Sequence, residues 1–225
     1  MSTIAVERHA GSRFAAPATP DPISYTPRAL PFDDPGWVFQ PKYEGLRAFA
    51  VRTASECVIG SGRELRAERV KELADRVGCV LGGREAVLDG EVVALDREGR
   101  PSLRELLKGR TLLAFGVFDL LWLDGEDFRP RPLSERQARL AELLPADTGP
   151  LYKMFTLGEH GRALFQAACR MDLEGVVAKR QRDPYGPGTV WYLVRNPGYT
   201  QDDGRIDLFR HRPRFRRVDR EPAGP

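Results

Sequence analysis

Residues 86–95 form an apolar run, AVLDGEVVAL, that is interrupted only by Asp89-Gly90-Glu91. A continuous apolar run of this length is typical of a β-strand inside a sheet core. A carboxylate is costly to bury in such a sheet unless it meets a metal ion, a hydroxyl group or a cation. The run therefore predicts a buried strand whose acidic side chains have polar partners.

Short strands alternate with amphipathic helices along most of the chain, without an internal repeat. Ser102 is a suitable N-cap, with Glu105 at the capping-box position. The predicted helices are 67–77, 102–107, 134–144 and 159–171. The predicted strands are 37–40, 46–52, 56–59, 86–95, 112–123, 174–179 and 191–195. At 225 residues, the chain is one medium domain or two small ones.

Composition excludes several classes of protein. Charged residues are 30% and hydrophobic residues 41% of the chain, and no stretch approaches the ~18–20 apolar residues that a bilayer requires. Net charge is only +3, so any affinity for nucleic acid must come from local patches. The three cysteines lack a C-x-x-C pair and the three histidines are far apart. This pattern favours a cytoplasmic protein without disulfides, a zinc site or a histidine triad, and no membrane partner is expected.

The two ends of the chain differ from its middle. The first 35 residues hold six prolines, whereas residues 198–225 are rich in arginine and have little to bury. We expect 1–35 to be an extended or disordered lead-in, with order beginning near Trp37, and 36–197 to be the folded domain. We expect 198–225 to be a solvated tail, although its arginines also suit a phosphate backbone.

Lys42 lies in a sharp turn between two apolar strands, with Pro41 and Gly45 on either side. A lysine becomes a covalent nucleophile when its amine is partly deprotonated, and attack on a nucleotide α-phosphate would form a lysyl–AMP phosphoramidate. The 35 basic residues include only five lysines, and arginine is not deprotonated in proteins, so few amines are available. By itself, the segment also fits an ordinary solvated turn lysine.

Carboxylates also mark a second apolar run, in which Glu174 heads the sequence EGVVAK and Lys179 ends it. Glu91 and Glu174 on separate central strands suit Mg²⁺, a hard cation that prefers oxygen ligands. The alternative is a pair of turn residues at strand ends. Phe118 lies in an apolar strand, where it either stacks on a purine in a cleft or is an ordinary core residue.

Four segments, taken together and in order, carry a family resemblance. They are KYEGLR from Lys42, LDGEV from Leu88, FDLLWLDG from Phe118 and LEGVVAKR from Leu173. The series resembles the motifs of ATP-dependent DNA ligases, in the covalent nucleotidyltransferase superfamily, and most closely the bacterial ligase domains associated with double-strand-break repair. The likeness runs from about residue 37 to residue 196, essentially the whole adenylation domain.

The resemblance implies a role for each matching side chain. Lys42 would be the adenylated nucleophile, and Gln40 would receive the adenine amino group. Arg47 would help to bind the nucleotide, and Phe118 would stack on adenine. The other implied contacts are with ribose or a metal ion for Glu91, with the metal ion for Glu174, and with the phosphates for Lys179 and Arg195.

The resemblance also implies a fold and a reaction. The fold would be an α+β, ATP-grasp-like nucleotidyltransferase domain in which antiparallel sheets flank an ATP cleft. The cofactors would be ATP and Mg²⁺, and the partner would be nicked or broken DNA. Self-adenylation, transfer of AMP to a 5′-phosphate and nick closure by a 3′-hydroxyl would follow in DNA repair. Such phosphoryl transfer depends mainly on electrostatic stabilisation.

The chain departs from the family pattern at several positions. The pattern has Asp where Glu44 stands, Glu where Gln40 stands and Arg where Gly60 stands. Its last motif has two lysines that hold the α-phosphate, where this chain has Leu193 and Arg195. Loss of one charge-assisted contact in such a site costs about 10²–10³ in rate.

A further departure concerns the OB-fold domain that follows the last motif in the family. Only 30 residues (225 − 195) follow Arg195, below the ~50 residues of an ordinary domain. We therefore expect no OB fold in this chain, and a separate OB-fold or repair protein as partner. An enzyme is the favoured interpretation. The alternatives are a non-catalytic or impaired nucleotide- or nucleic-acid-binding descendant and an RNA-end ligase relative.

Overall fold

A computed structural model describes residues 18–61, 67–97, 100–109, 111–144 and 149–200 of the chain. Over these residues it forms two β-sheets and four helices, numbered below in chain order, which confirms the predicted α+β class. Residues 1–17 of the predicted lead-in and 201–225 of the predicted tail lie outside the described residues. No helix in the described ranges has the length and apolar character needed to cross a bilayer.

The first sheet has five strands. They are β1 (Tyr25–Pro27), β2 (Asp34–Lys42), β9 (Leu157–Glu159), β10 (Gly175–Arg180) and β11 (Trp191–Arg195). Their spatial order is β1-β11-β10-β2-β9, and only the pairing of β1 with β11 is parallel. The strand that carries Lys42 is thus directly beside the strand that follows Glu174.

The second sheet has six strands. They are β3 (Leu46–Arg52), β4 (Cys57–Ser61), β5 (Ala86–Ala94), β6 (Leu113–Leu123), β7 (Glu126–Asp127) and β8 (Leu151–Lys153). The order is β4-β3-β5-β6-β7, all antiparallel, and β8 pairs in parallel with β6. All nine residues of β5 are buried, as the apolar run predicts.

Four helices cover the outer faces of the two sheets. They are α1 (Ala67–Leu81), α2 (Leu103–Lys108), α3 (Leu133–Leu143) and α4 (Gly161–Arg170). The first three contribute to an apolar cluster on the second sheet, and α4 packs Leu164 and Ala168 against the first sheet. A third cluster, which includes Phe49 and Trp191, lies between the sheets. Alternate residues of each strand face opposite layers, so the interior between the sheets is where a cleft can form.

All four predicted helices are present, but α1 continues to Leu81, beyond its predicted end at Val77. The Ser102 hydroxyl accepts a hydrogen bond from the backbone N–H of Glu105, so the predicted N-cap of α2 is present. The prediction that a helix begins at Glu159 is wrong, because Glu159 ends β9 with a left-handed φ of 61°. The helix begins two residues later, at Gly161.

The structure corrects the expectation that order begins near Trp37. Tyr25 pairs with Trp191 in the parallel β1–β11 ladder, and Ile23 is only 7% exposed. Proline is tolerated in this position because β1 is an edge strand. The described part of the proline-rich segment therefore contributes an edge strand, β1, and the buried Ile23 to the folded domain.

Candidate active site

Lys42 is the last residue of β2, where the chain leaves the first sheet for the second. The turn that follows passes very close to β5. A Cβ atom on Gly45 would lie 2.5 Å from the carbonyl oxygen of Val92, so only glycine fits there. The close approach presses the turn against the second sheet and leaves the Lys42 side chain between the two sheets.

Two carboxylates, one from each sheet, flank the Lys42 amine. Its Nζ lies 3.0 Å from Glu91 Oε1 and 3.5 Å from Glu174 Oε2. Glu91 is on β5, whereas Glu174 directly precedes β10. Both acids are nearly fully buried, and the Lys42 side chain is 12% exposed. The structure thus brings together the three charged residues that the sequence marks as central.

The charge state of Lys42 follows from these contacts. Burial lowers its pKa, but the negative charge of Glu91 and Glu174 and the hydrogen bond to Glu91 outweigh burial, so the net pKa lies above the ordinary lysine value. Without a ligand, the amine is therefore a protonated ion-pair partner. It becomes a nucleophile only when the charge of the two carboxylates is compensated by something else.

A narrow cleft opens beside the Lys42 amine, between the sheets. The predicted site residues in its lining are Gln40, Lys42, Glu91, Phe118 and Lys179. Of the other three predicted residues, Glu174 contacts Lys42, Arg47 lies beside the Phe118 ring, and Arg195 contacts Glu174. The space within the cleft that a water-sized molecule can enter is about 10 Å³, roughly enough for one water molecule, so a nucleotide must widen the cleft as it enters.

One residue that lines the cleft, Tyr25, comes from the segment predicted to be an extended lead-in. The Tyr25 ring lines the cleft, with its centroid 6.0 Å from Lys42 Nζ. Nothing in the local sequence marks Tyr25 as a site residue. It reaches the cleft only because β1 adds to the edge of the first sheet beside β11.

Gln40 and Phe118 both line the cleft, Gln40 from β2 and Phe118 from β6. The Gln40 amide nitrogen donates a hydrogen bond of 2.9 Å to Thr156 Oγ1, which orients the buried amide. Phe118 is 4% exposed and meets Trp191 edge to face, with 5.7 Å between the ring centroids. Thr156 and Trp191 hold the two predicted base-binding side chains in place, and sequence reasoning assigned neither of them this role.

Lys179 is the least conventional group in the cleft. It is 2% exposed, and its Nζ lies 4.1 Å from the centroid of Phe118 and 3.8 Å from that of Trp191. Within the described part of the chain, this nitrogen has no hydrogen-bond partner. Burial lowers its pKa to about 7, although Asp119 and Asp89 act in the opposite direction. A bound ligand can supply the hydrogen-bond acceptor that this buried amine lacks.

The low pKa of Lys179 predicts a pH-dependent contribution to stability. Between pH 7 and 10 the unfolded chain binds a proton at this lysine and the folded chain does not, so wild-type stability rises with pH. Lys179→Met removes this dependence. We expect the variant to be more stable than wild type near pH 7. Above that pH, the difference in the free energy of unfolding between variant and wild type should shrink by about 1.4 kcal/mol per pH unit.

Urea unfolding of both proteins at pH 7, 8 and 9 tests this expectation. Lys108→Met is the matched control, because the Lys108 side chain is 49% exposed on α2. A constant difference between Lys179→Met and wild type across this range would contradict the depressed pKa.

Comparison with known proteins identifies the family of the chain. A family model described as ATP dependent DNA ligase domain matches residues 26–194. The chain belongs to the ATP-dependent DNA ligase family. The resemblance read from the four motifs is thereby confirmed, and the match begins within β1, ahead of the predicted domain start.

Relatives within the family include multifunctional end-joining proteins. The Pseudomonas aeruginosa protein "Multifunctional non-homologous end joining protein LigD" is 35% identical over 157 residues, which cover 66% of this chain and 18% of that protein. A mycobacterial DNA ligase D complexed with ATP and MES has a similar fold, with a TM-score of 0.66 and 29% identity over 77% of this chain and 59% of that one. The ligase domain of M. tuberculosis LigD gives 0.64 and 28% over the same shares. The chain thus spans less than a fifth of the length of this LigD relative.

Three positions that depart from the ligase pattern have different surroundings in the fold. Leu193, in place of a lysine, is 6% exposed and packs in the cluster with Ile23 and Trp191. Arg195 is 58% exposed, with Nη2 3.5 Å from Glu174 Oε1. Gly60 lies on β4 opposite Phe49, and the loop that follows is outside the described residues. The last ligase motif therefore contributes one cation here, at the rim.

Arg47 is held in place by Asp89, with Tyr185 and Trp191 close by. None of these contacts is evident from the sequence. Its Nη2 is 2.6 Å from Asp89 Oδ2, and its Nε donates to Asp89 Oδ1 at 3.1 Å. The Tyr185 hydroxyl donates to Asp89 Oδ2 at 2.6 Å. The guanidinium also lies 4.8 Å from the Trp191 ring centroid. Asp89, the second acid of the apolar run, thus meets the cation and the hydroxyl that its burial requires.

Proposed function

We propose that this domain transfers adenylyl groups, with Lys42 as the nucleophile that forms a covalent lysyl–AMP from ATP. One observation carries the proposal: the Lys42 amine lies in a cleft between two sheets, in contact with Glu91 and Glu174. A solvated turn lysine would point into water. Membership of the ligase family supports the same chemistry.

The covalent step is a nucleophilic substitution at the α-phosphorus of ATP. The Lys42 ammonium first gives up one proton to solvent, and Nζ then attacks the α-phosphorus of ATP; as the nitrogen–phosphorus bond forms, the nitrogen releases a second proton to solvent. The bond from that phosphorus to the oxygen bridging to the β-phosphate breaks, and pyrophosphate leaves with the electron pair. The protein's main task is to place the amine in line with the leaving group and to stabilise the negative charge that develops.

Glu91 and Glu174 suit a magnesium ion in this reaction. Mg²⁺ is usually held by one or two carboxylates, with water and substrate phosphates completing its shell. Within the described ranges no group of three or more acidic, histidine or cysteine side chains is preformed for a metal ion, so this carboxylate pair is the donor set we assign. When bound, the ion would neutralise phosphate charge and weaken the hold of both acids on the Lys42 ammonium.

The remaining cleft residues would bind the nucleotide. We assign adenine to the side of the cleft formed by Phe118 and Gln40. Lys179 presents its unpartnered amine to the same space, and an anionic ligand would favour its protonated form. Arg47, fixed by Asp89, would add positive potential from the second sheet. At the rim, Arg195 would take over part of the role of the two lysines in the family motif.

We further propose that the activated AMP is passed to the 5′-phosphate of a DNA nick, which a 3′-hydroxyl then seals. The names of the related proteins, non-homologous end joining protein and DNA ligase D, support repair of broken DNA as the setting. A separate OB-fold or repair protein is the partner that we propose for gripping the duplex. A comparison of nicked DNA with a nicked RNA duplex of the same sequence tests this preference for DNA.

The decisive experiment is incubation of the full chain with α-labelled ATP and Mg²⁺, followed by denaturation. We expect protein-bound label and a mass increase of one AMP, and no label from γ-labelled ATP. If no label is bound at any protein concentration, the proposal fails.

A second candidate is nucleotide binding without chemistry. Leu193 favours it, because a buried leucine replaces a charge that normally faces the α-phosphate. This alternative predicts that ATP raises the melting temperature of the chain but leaves no covalent adduct. Absence of any response to ATP would exclude both candidates.

A further inference from the structure

The chain turns back sharply after β11, through Asn196-Pro197-Gly198. The Asn196 backbone N–H donates to the Glu174 carbonyl oxygen at 2.9 Å, and its side-chain amide donates to the Leu173 carbonyl oxygen at 3.1 Å. The Gly198 N–H donates to Asn196 Oδ1 at 3.0 Å. These bonds fix the turn against the segment before β10 and direct the next residues toward the Lys42 turn.

Two residues after this turn bond to acidic side chains. The Tyr199 hydroxyl donates to Glu44 Oε2 at 2.5 Å. Thr200 bonds to Asp172 through its backbone N–H at 3.0 Å and its hydroxyl at 2.6 Å. Thr200 therefore anchors the segment to the loop before β10, whereas Tyr199 contacts the turn that carries the nucleophile.

Glu44 is a buried residue of the turn that carries Lys42. It is two residues from Lys42 and only 5% exposed. On the other side, Gly45 is pressed against Val92 of β5. The family pattern has the shorter Asp at this position, and the extra methylene of Glu44 extends the carboxylate toward Tyr199. The turn is thus held from the second sheet at Gly45 and from the C-terminal segment at Glu44.

The Glu44–Tyr199 bond persists across the working pH range. Burial raises the pKa of Tyr199 above its ordinary value, as do the hydrogen bond to Glu44 and the negative charge of Glu44, Glu174 and Asp172. The phenol therefore keeps its proton and remains a donor at neutral pH.

We infer that Tyr199 is a positioning residue. Through its hydrogen bond to Glu44 it holds the turn that carries Lys42. The inference deepens the proposed function and rests on it for its catalytic consequence. Rates of covalent attack depend steeply on placement, and a shift of about 1 Å can cost about 10²-fold. Tyr199 does not touch the nucleotide cleft, so its removal should slow attack without weakening nucleotide binding.

Tyr199→Phe is the test variant, because it removes only the hydroxyl. We expect the maximal rate of self-adenylation to fall about tenfold while the ATP concentration at half-maximal rate stays within about twofold, the pattern of an interaction that matters in the transition state. Thr200→Val removes the hydroxyl bond to Asp172 but leaves the backbone N–H bond of residue 200 and the Tyr199–Glu44 bond in place, so it is the matched control and should retain the wild-type rate. Equal rates for Tyr199→Phe and wild type would overturn the inference.

Glu44→Asp provides an independent check of the pathway. It shortens the acid by the methylene that reaches Tyr199, so it should slow the reaction to a similar degree. The double variant should be no slower than either single variant, since both changes break the same bond. Additive losses would show that Tyr199 does not act through Glu44.

A spectroscopic measurement separates this inference from the proposed function. With ¹³Cε-labelled lysine, the chain gives five side-chain signals, one for each lysine. A fixed Lys42 has two inequivalent Hε protons, and we expect Tyr199→Phe to reduce their shift difference at least twofold while the signals of exposed Lys71 and Lys108 stay unchanged. An unchanged Lys42 signal refutes the inference even if the enzyme is active. Absence of label in wild type refutes the proposed function, and the Lys42 signal still decides whether Tyr199 positions the turn.

Discussion

Lys42→Ala is expected to abolish protein-bound AMP, with a loss of at least about 10³-fold in label. Loss of a nucleophile removes the covalent route outright. The other amine in the cleft, Lys179, lies against the rings of Phe118 and Trp191 and is not flanked by the acids that face Lys42. It therefore does not replace Lys42.

Lys42→Arg refines the same test. It keeps a cation between Glu91 and Glu174, so the ion pairs survive, yet arginine does not supply a free amine. We expect no label from this variant and a melting temperature close to that of wild type. Lys108→Ala, at an exposed position, should label as wild type does. Label that persists in Lys42→Arg would contradict the assignment of the nucleophile.

Arg136→Met is expected to lower the free energy of unfolding by about 3–5 kcal/mol, the usual cost of leaving a buried charge unpaired. Arg136 and Asp119 are both 0% exposed. The guanidinium donates to Asp119 Oδ1 at 2.7 Å and to Oδ2 at 2.8 Å. It also donates to the carbonyl oxygens of Arg131 and Asp183. Removing it strands the Asp119 carboxylate in the centre of the second sheet.

Denaturant unfolding checks this prediction, with Arg139→Met as the matched control on the same helix. Arg139 is 38% exposed and pairs only with an exposed Glu142 among the contacts of the described residues, so its loss should cost under about 1 kcal/mol. Adding Asp119→Leu to Arg136→Met should recover much of the loss, because the stranded charge is then gone. A small effect of Arg136→Met would mean that Asp119 is solvated or protonated without its partner.

Local pattern sufficed for most of the secondary structure. The apolar run at 86–95, the helical spacing of 67–77 and the Ser102 cap depend on neighbouring residues, and each is present. The helix expected from Glu159 failed because a left-handed residue and a strand pairing with β2 override a good helical pattern. β1 was missed because proline masks a short edge strand whose pairing partner, β11, is more than 160 positions away.

Some residues of the candidate site are evident from the sequence, whereas others are found only in the structure. Lys42, Glu91 and Glu174 stand out in the sequence because charge inside apolar strands needs a reason, and the structure places them in contact. Their chemical roles stay predictions until label is measured. Tyr25 and Tyr199 carry no local signal, and each reaches the site from a strand or turn that is distant in sequence.

The amino-acid sequence alone determined the family, the buried strands and the charged residues that those strands carry, because burial patterns and motif order are properties of neighbouring residues. Only the tertiary structure decided which carboxylate faces which cation. It showed that Asp89 holds Arg47 and that Glu91 holds Lys42. It also showed that Glu44 meets Tyr199. Ion pairs and hydrogen bonds act over a few ångströms, and the packing of two sheets sets those distances between residues that the sequence leaves far apart.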